Sequence, residues 1–237
     1  MEGFDKLITR WNDAFYGEPF LALSELIAII IGLIFVRNYR VGQFFLFYII
    51  FDFITLIIDL YLMGFSNYTR IEKNTFMGLT NALIAYIELS VYYYFFLKTL
   101  NSTRIKMFMK ISFYFFTLIM ILFLTNKSQF SHISQRYLSI SVGVLEFFLI
   151  IPVCLTYYIE LFENPLTKLF QRPSFWITTG IFFYAVISIP YYLIFDFLYS
   201  IQYLWFIQIS SLLFYIPFGI NFLFLTRAFL CKKPLTI

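Results

Sequence analysis

The sequence predicts an all-α, polytopic membrane protein: one bundle of seven transmembrane helices, with the N-terminus outside and the C-terminus cytoplasmic. Three observations carry that expectation. Of 237 residues, 61% are apolar or aromatic and only 13% are charged, against roughly 45–50% and 25% in soluble domains. Apolar runs long enough to cross a ~30 Å hydrocarbon layer recur at 20–36, 43–65, 75–97, 107–125, 137–160, 175–198 and 201–226. The turns between them alternate between Lys/Arg-rich and Lys/Arg-poor.

The composition also excludes other classes. With 34 Phe and 19 Tyr, a water-soluble core of this size would leave a very large apolar patch exposed. Nine Gly, seven Pro, two Cys and a mean hydropathy of +0.82 fit neither a collagen-like, a disordered nor a disulfide-scaffold chain.

Three regions follow. In residues 1–19, Phe4, Leu7, Ile8, Trp11 and Phe15 recur at helical spacing, which predicts an amphipathic helix lying in the membrane interface. Glu2, Asp5 and Asp13 stand where a cleavable signal peptide is basic and then apolar. Residues 20–230 form the transmembrane domain, and 231–237 a short cytoplasmic tail. The boundary between the last two spans is the weakest, with only Tyr199 and Ser200 breaking the apolar run.

The spans carry acids. Glu25 lies in the first, Asp52 and Asp59 in the second, Glu88 in the third and Glu146 in the fifth. A carboxyl at membrane depth costs several kcal/mol, so such residues face the bundle interior and mark function. Their helical stripes agree: Glu25 with Ala28 and Gly32, Asp52 with Thr55 and Asp59, Asn81 with Ala85, Glu88 and Tyr92, and Ser139 with Gly143 and Glu146. Small and polar residues at these spacings mark faces that pack on other helices. At 1.5 Å per residue, Glu25 and Asp59 lie roughly 8 Å below the outer surface and Glu146 roughly 14 Å. Asp52 and Glu88 fall nearer the midplane.

No Lys, Arg or His shares their depth; Lys98 and Lys110, the nearest bases, stand at span ends. The acids therefore carry protons, bonded to Ser, Thr, Asn and Tyr of adjacent helices, or face water and a cation. The functional expectation is an outward-facing acidic cavity lined by these acids together with Asn81, Gln208 and Ser211. Gln208, Ser211 and Tyr215 share a stripe of the seventh span. Pro152, Pro190 and Pro217 interrupt the last three spans and are candidate hinges or simple bends.

Orientation follows from Lys and Arg. Eleven, from Arg37 to Lys233, fall on one side and six, from Lys6 to Arg136, on the other, which makes the richer side cytoplasmic. No loop is long enough for a soluble domain or a continuous basic face, so nucleic-acid binding is not expected. The sequons at Asn67, Asn101 and Asn126 are discarded, because Asn101 falls on the cytoplasmic side.

Several chemistries lack their residues. One histidine, His132, excludes a bis-histidine haem and a His-rich zinc site, so neither metal nor cofactor is expected. A seven-helix hydrolase is excluded on the same ground. The seventh span has no lysine for a retinal Schiff base, and neither the Asp-Arg-Tyr nor the Asn-Pro-x-x-Tyr pattern of G-protein-coupled receptors occurs. A sugar-transporter arrangement would make Glu25 and Glu146 loosely equivalent, but its Pro-Gln signature is missing. Cys154 and Cys231 fall on the cytoplasmic side, where a structural disulfide is not expected.

Two stretches, NALIAYIELSVYYYFFLK at Asn81–Lys98 and FWITTGIFFYAVISIPYYLIFDFL at Phe175–Leu198, resemble a group of uncharacterised seven-helix bacterial inner-membrane proteins common in Bacteroidota. The matching positions are Glu88, Phe175, Trp176 and Gly180. The resemblance implies a bacterial inner-membrane location and an accessory or sensory role more than an enzyme.

The leading expectation is a sensory or signalling module whose cavity binds a small cation, a proton or an amine-bearing ligand. Helix movement near the prolines would pass the signal to a cytoplasmic-side or transmembrane protein partner. The alternatives are a small-molecule or ion transporter using the same carboxyls, and a scaffold subunit of a larger complex.

Overall fold

The computed structural model describes residues 17–36, 40–64, 70–125, 132–163, 169–200 and 204–231. Side chains toward one end of the bundle lie outside that description, those of Asp59, Ser139, Asp196, Gln208 and Ser211 among them. So does the expected interfacial helix up to residue 16, and so does the tail from residue 232.

Among the described residues there are seven α-helices and no strand: α1 (Gly17–Phe35), α2 (Arg40–Gly64), α3 (Arg70–Thr99), α4 (Thr103–Thr125), α5 (His132–Glu163), α6 (Pro173–Ser200) and α7 (Leu204–Phe229). They fall on the seven expected runs, with ends displaced by at most five residues. Five are long and apolar enough to cross a membrane, with windows at Glu18–Phe35, Arg40–Ile58, Thr103–Leu122, Val142–Glu163 and Pro173–Leu193.

The packing order is a ring, α1–α2–α3–α5–α6–α7, closed by α7 against α1. Helix α4 stands outside it, resting lightly on α3 and α5. Its outer face is apolar and exposed at Met107, Ile111, Tyr114 and Phe115, as a lipid-facing surface requires.

Between apolar helices in lipid no hydrophobic force favours association, so close backbone approach and interhelical hydrogen bonds decide the packing. The tightest contacts show both. Gly219 of α7 lies under the Phe20 ring and Ser24 of α1; a β-carbon there would stand 2.6 Å from the ring and 2.9 Å from Ser24 Oγ. Gly180 does the same for α6 against α7. Hydroxyl pairs tie two more seams: Tyr157 to Ser174 at 2.9 Å and Tyr158 to Thr179 at 3.0 Å between α5 and α6, and Tyr93 with Ser112 at 2.9 Å between α3 and α4.

Two corners at the Lys/Arg-rich end are pinned by side chains. After Thr99 the chain turns into α4, and Glu160 of α5 accepts the N–H groups of Asn101 (2.9 Å) and Ser102 (2.8 Å). Helix starts leave N–H groups unpaired, and a carboxylate satisfies them with favourable charge. Before α6, a 3-10 turn at Leu169–Gln171 is held by Trp176, whose indole N–H donates to Phe170 O at 2.8 Å. The Trp176 ring also stacks on Phe224 at 5.8 Å and carries the Arg227 guanidinium at 5.5 Å, a cation–π contact joining α6 to α7.

Pro152, Pro190 and Pro217 all lie inside continuous helices. Pro152 and Pro190 are exposed on the bundle surface and Pro217 is buried.

Candidate acidic core of the bundle

Four of the expected acids point into the ring. Glu25 of α1 is 0% exposed, Asp52 of α2 4%, Glu88 of α3 2% and Glu146 of α5 2%. The reason is local: each sits on the stripe of small or polar residues that turns inward. Ala28, Thr55, Ala85, Tyr92 and Gly143 on those stripes are buried too.

The four carboxyls are successive electrostatic neighbours. Glu25 faces Asp52 across α1 and α2, near enough for a hydrogen bond once one of them carries a proton. Asp52 is the electrostatic neighbour of Glu88, and Glu88 that of Glu146. Among the described residues no three His, Cys, Asp or Glu side chains gather around a point where a metal ion would sit. The arrangement is a file, not a cage.

Tyrosine hydroxyls and an amide bind its middle. Tyr92, one turn after Glu88, donates a short hydrogen bond to Glu88 Oε1. Asn221 of α7 then donates from Nδ2 to the Tyr92 oxygen at 3.1 Å. This Glu88–Tyr92–Asn221 chain crosses the ring from α3 to α7. Tyr48, fully buried on α2 one turn before Asp52, brings its hydroxyl close to Glu88 without closing a regular hydrogen bond. Tyr184 and Tyr192 of α6 face Glu88 and Glu146 from the far side.

Aromatic rings seal the group. Tyr48 meets Tyr92 edge-on at 6.2 Å and Phe222 at 6.1 Å. Phe147 meets Tyr184 edge-on at 5.0 Å, and Tyr184 stacks on Phe218 at 4.9 Å. In this conformation the acids are closed off from solvent.

The unsatisfied atoms inside are mostly acceptors. Both oxygens of Glu25, Glu146 Oε1 and Asn221 Oδ1 are buried and receive no hydrogen bond; the hydroxyls of Tyr48, Thr178 and Ser188 are buried and unpaired as well. Buried polar groups are ordinarily paired, and an acceptor-rich set is completed by donors: protons, water or an ammonium group. The chain has no Lys, Arg or His in 11–36, 41–69, 74–97, 137–167 or 173–226. Bases whose side chains are described, such as Arg40, Lys98 and Arg227, stand at the ends of their helices.

The other expected site residues are placed differently. Asn81 is exposed on α3, a turn beyond the point where its stripe is covered, and the structure does not bring it to the acids. The side chains of Asp59, Gln208 and Ser211 lie outside the described residues. Tyr215, from the same α7 stripe, donates instead to Glu18 of α1 at 2.8 Å. Tyr48, Asn221 and Glu18 were not expected. The signal for Tyr48 was its spacing of four from Asp52; Asn221 offered only its polarity in an apolar run.

No protein-family model, no curated protein and no solved structure matches the chain. The positions that carry the resemblance nevertheless have visible structural work: Glu88 is in the acid file, Trp176 pins the turn before α6, and Gly180 admits Asn221.

Proposed function

We propose that the protein is an integral-membrane sensory module that responds to a proton, a small cation or an amine-bearing ligand taken up by its acid file. It spans a bacterial inner membrane seven times, N-terminus outside, and opens the file toward the outer side. The observation that supports this reading is the adjacency of Glu25, Asp52, Glu88 and Glu146 in a bundle interior whose helices carry their described bases at their ends. A stability role alone does not call for four such acids, since apolar residues of equal volume serve a lipid-embedded core at lower cost. Carboxyls that form no three-acid cage among the described residues favour the proton as occupant.

Output follows from the Glu88–Tyr92–Asn221 chain. A change in charge at Glu88 alters the bond that joins α3 to α7, and α7 is packed on both α1 and α6. Trp176 lies on the α6–α7 seam and reports its movement.

The test is the intrinsic fluorescence of the protein in lipid nanodiscs, scanned over pH with sodium, potassium or choline as the salt. A cooperative change in the wild type, lost when all four acids become Gln or Asn, supports the reading. An identical response in wild type and quadruple variant overturns it. Uptake into proteoliposomes separates sensor from transporter, because a sensor moves no net substrate.

A further inference from the structure

We propose that the α6–α7 seam at the Lys/Arg-rich end binds an anionic phospholipid, with its phosphodiester on Arg227 and its acyl chains along the aromatic strip that leads inward from there. The site lies outside the acid file, and its occupancy does not depend on the sensory reading.

Arg227 is the anchor. Its side chain is exposed, and its guanidinium lies 5.5 Å from the centroid of the Trp176 ring. That cation–π contact covers one face of a planar group and leaves its N–H donors unused. Among the described residues no carboxylate pairs with the guanidinium and no acceptor takes its hydrogens. Nor is it spent on the end of its own helix, where the last carbonyls already have donors. Thr226 O accepts from Leu230 N, Ala228 O from Cys231 N, and Arg227 O from the Cys231 thiol. A fork of unused guanidinium donors fits a pair of phosphate oxygens.

The support for this charge is fixed. Trp176 donates its indole N–H to Phe170 O at 2.8 Å, which holds the ring on which the guanidinium rests. A second base, Arg172, stands in the turn that this bond pins, and it too makes no ion pair among the described residues.

Below the charge the seam is apolar and open. The Trp176 ring stacks on Phe224 at 5.8 Å, and Phe224 meets Phe183 at 6.5 Å. Phe183 is exposed, as are Val186 one turn further along α6 and Leu223 on α7. The seven residues from Trp176 to Phe183 advance about 10 Å along the helix, from the interface into the hydrocarbon. An unpaired guanidinium with an aromatic strip running inward from it has the two-part form of a lipid. A free phosphate would use only the first part. Zwitterionic lipids carry the same phosphodiester with a cationic group beside it, so the seam favours headgroups of net negative charge, such as phosphatidylglycerol.

Trp176 itself is the probe. The chain has three tryptophans, so the full-length protein carries W11F and W205F and is reconstituted into phosphatidylcholine vesicles. Phosphatidylglycerol or phosphatidylcholine with brominated acyl chains, which quench indole on contact, is then included at rising mole fraction. Brominated phosphatidylglycerol is expected to half-quench Trp176 at a mole fraction about fivefold lower than brominated phosphatidylcholine, the preference that one basic side chain gives near an anionic surface. R227Q should abolish that preference. K98Q, which removes another exposed base at the same end, should leave it intact. Equal quenching by the two lipids overturns the site, and so does a loss in K98Q as large as in R227Q, which would reduce the effect to general surface charge. Unchanged quenching of R227Q by brominated phosphatidylcholine shows that the seam still packs as before. Where that quenching differs, R227K keeps the charge and should keep a preference; its complete loss there overturns the site. Inorganic phosphate at the headgroup concentration should not displace the brominated lipid, and displacement would make free phosphate the occupant and overturn the lipid.

Discussion

Asn221 occupies the space that a side chain on Gly180 would need: its Oδ1 lies 2.7 Å from the position of a β-carbon there. The same asparagine donates to Tyr92 from its other terminal atom. The close approach of α6 to α7 and the polar link from α7 to α3 are therefore one device. Moving α6 away from α7 loosens the amide that holds Tyr92.

Gly180→Ala is expected to destabilise the bundle by about 1–3 kcal/mol, the usual cost of overpacking. A β-carbon meets not only the Asn221 side chain but Phe224 Cβ at 2.8 Å, which cannot rotate away. Thermal unfolding in detergent measures the loss. In an Asn221→Ala background the penalty shrinks without vanishing, because Phe224 remains; equal penalties in both backgrounds would show that the amide is not the obstacle.

Tyr92→Phe removes one acceptor and one donor at once, orphaning Glu88 Oε1 and Asn221 Nδ2. Interhelical hydrogen bonds inside membranes are worth about 1–2 kcal/mol at most, and that is the expected loss of stability. The distinguishing result is in the response: the fluorescence change with pH should be damped in this variant even at temperatures where it is fully folded. A response of wild-type amplitude would detach Tyr92 from signalling.

Glu160→Ala frees the N–H groups of Asn101 and Ser102 at the entry to α4. Losing a cap of this kind costs about 0.5–2 kcal/mol. Because α4 stands outside the ring, the damage stays local. Hydrogen exchange should speed up at the start of α4 and leave the amides around Glu25 and Glu88 protected.

The two cysteines should separate in alkylation. Both are free; Cys154 is completely buried in α5, whereas Cys231 lies partly open beyond the end of α7. Burial raises the Cys231 thiol above its ordinary range, with Arg227 partly opposing the shift. The thiolate is the reactive form, so labelling is slow at neutral pH and accelerates as pH climbs through the raised value. Cys154 reacts only after unfolding. Applied to intact cells and to inverted vesicles, a membrane-impermeant maleimide that labels Cys231 only in the vesicles supports a cytoplasmic C-terminus; labelling in cells reverses the topology.

The burial of the four acids is legible in the sequence. Glu25, Asp52, Glu88 and Glu146 each stand on a stripe of small and polar residues, and such a stripe turns inward whichever helix it meets. Asn81 and Asn221 show where that reasoning stops. Both are amides in apolar helices, yet one is exposed and the other is wholly buried with its amide bonded to Tyr92. Their spacings did not tell them apart, because exposure depends on whether a neighbouring helix reaches that turn. Tyr48 was hidden differently: among 19 tyrosines, a single inward hydroxyl has no compositional mark. The place of α4 outside the ring was also invisible, since its apolar run looks like the others.

By itself the amino-acid sequence determined where the helices run, which flank of the four acid-bearing helices turns inward, and that their apolar runs carry no base, because periodicity and hydropathy act within one segment. Only the tertiary structure decided that Glu25 meets Asp52, that the file continues through Glu88 to Glu146, and that Asn221 closes it. Those choices depend on how near two backbones can come. At Gly180 and Gly219 that distance is set by the absence of a β-carbon on one helix and the shape of the partner opposite.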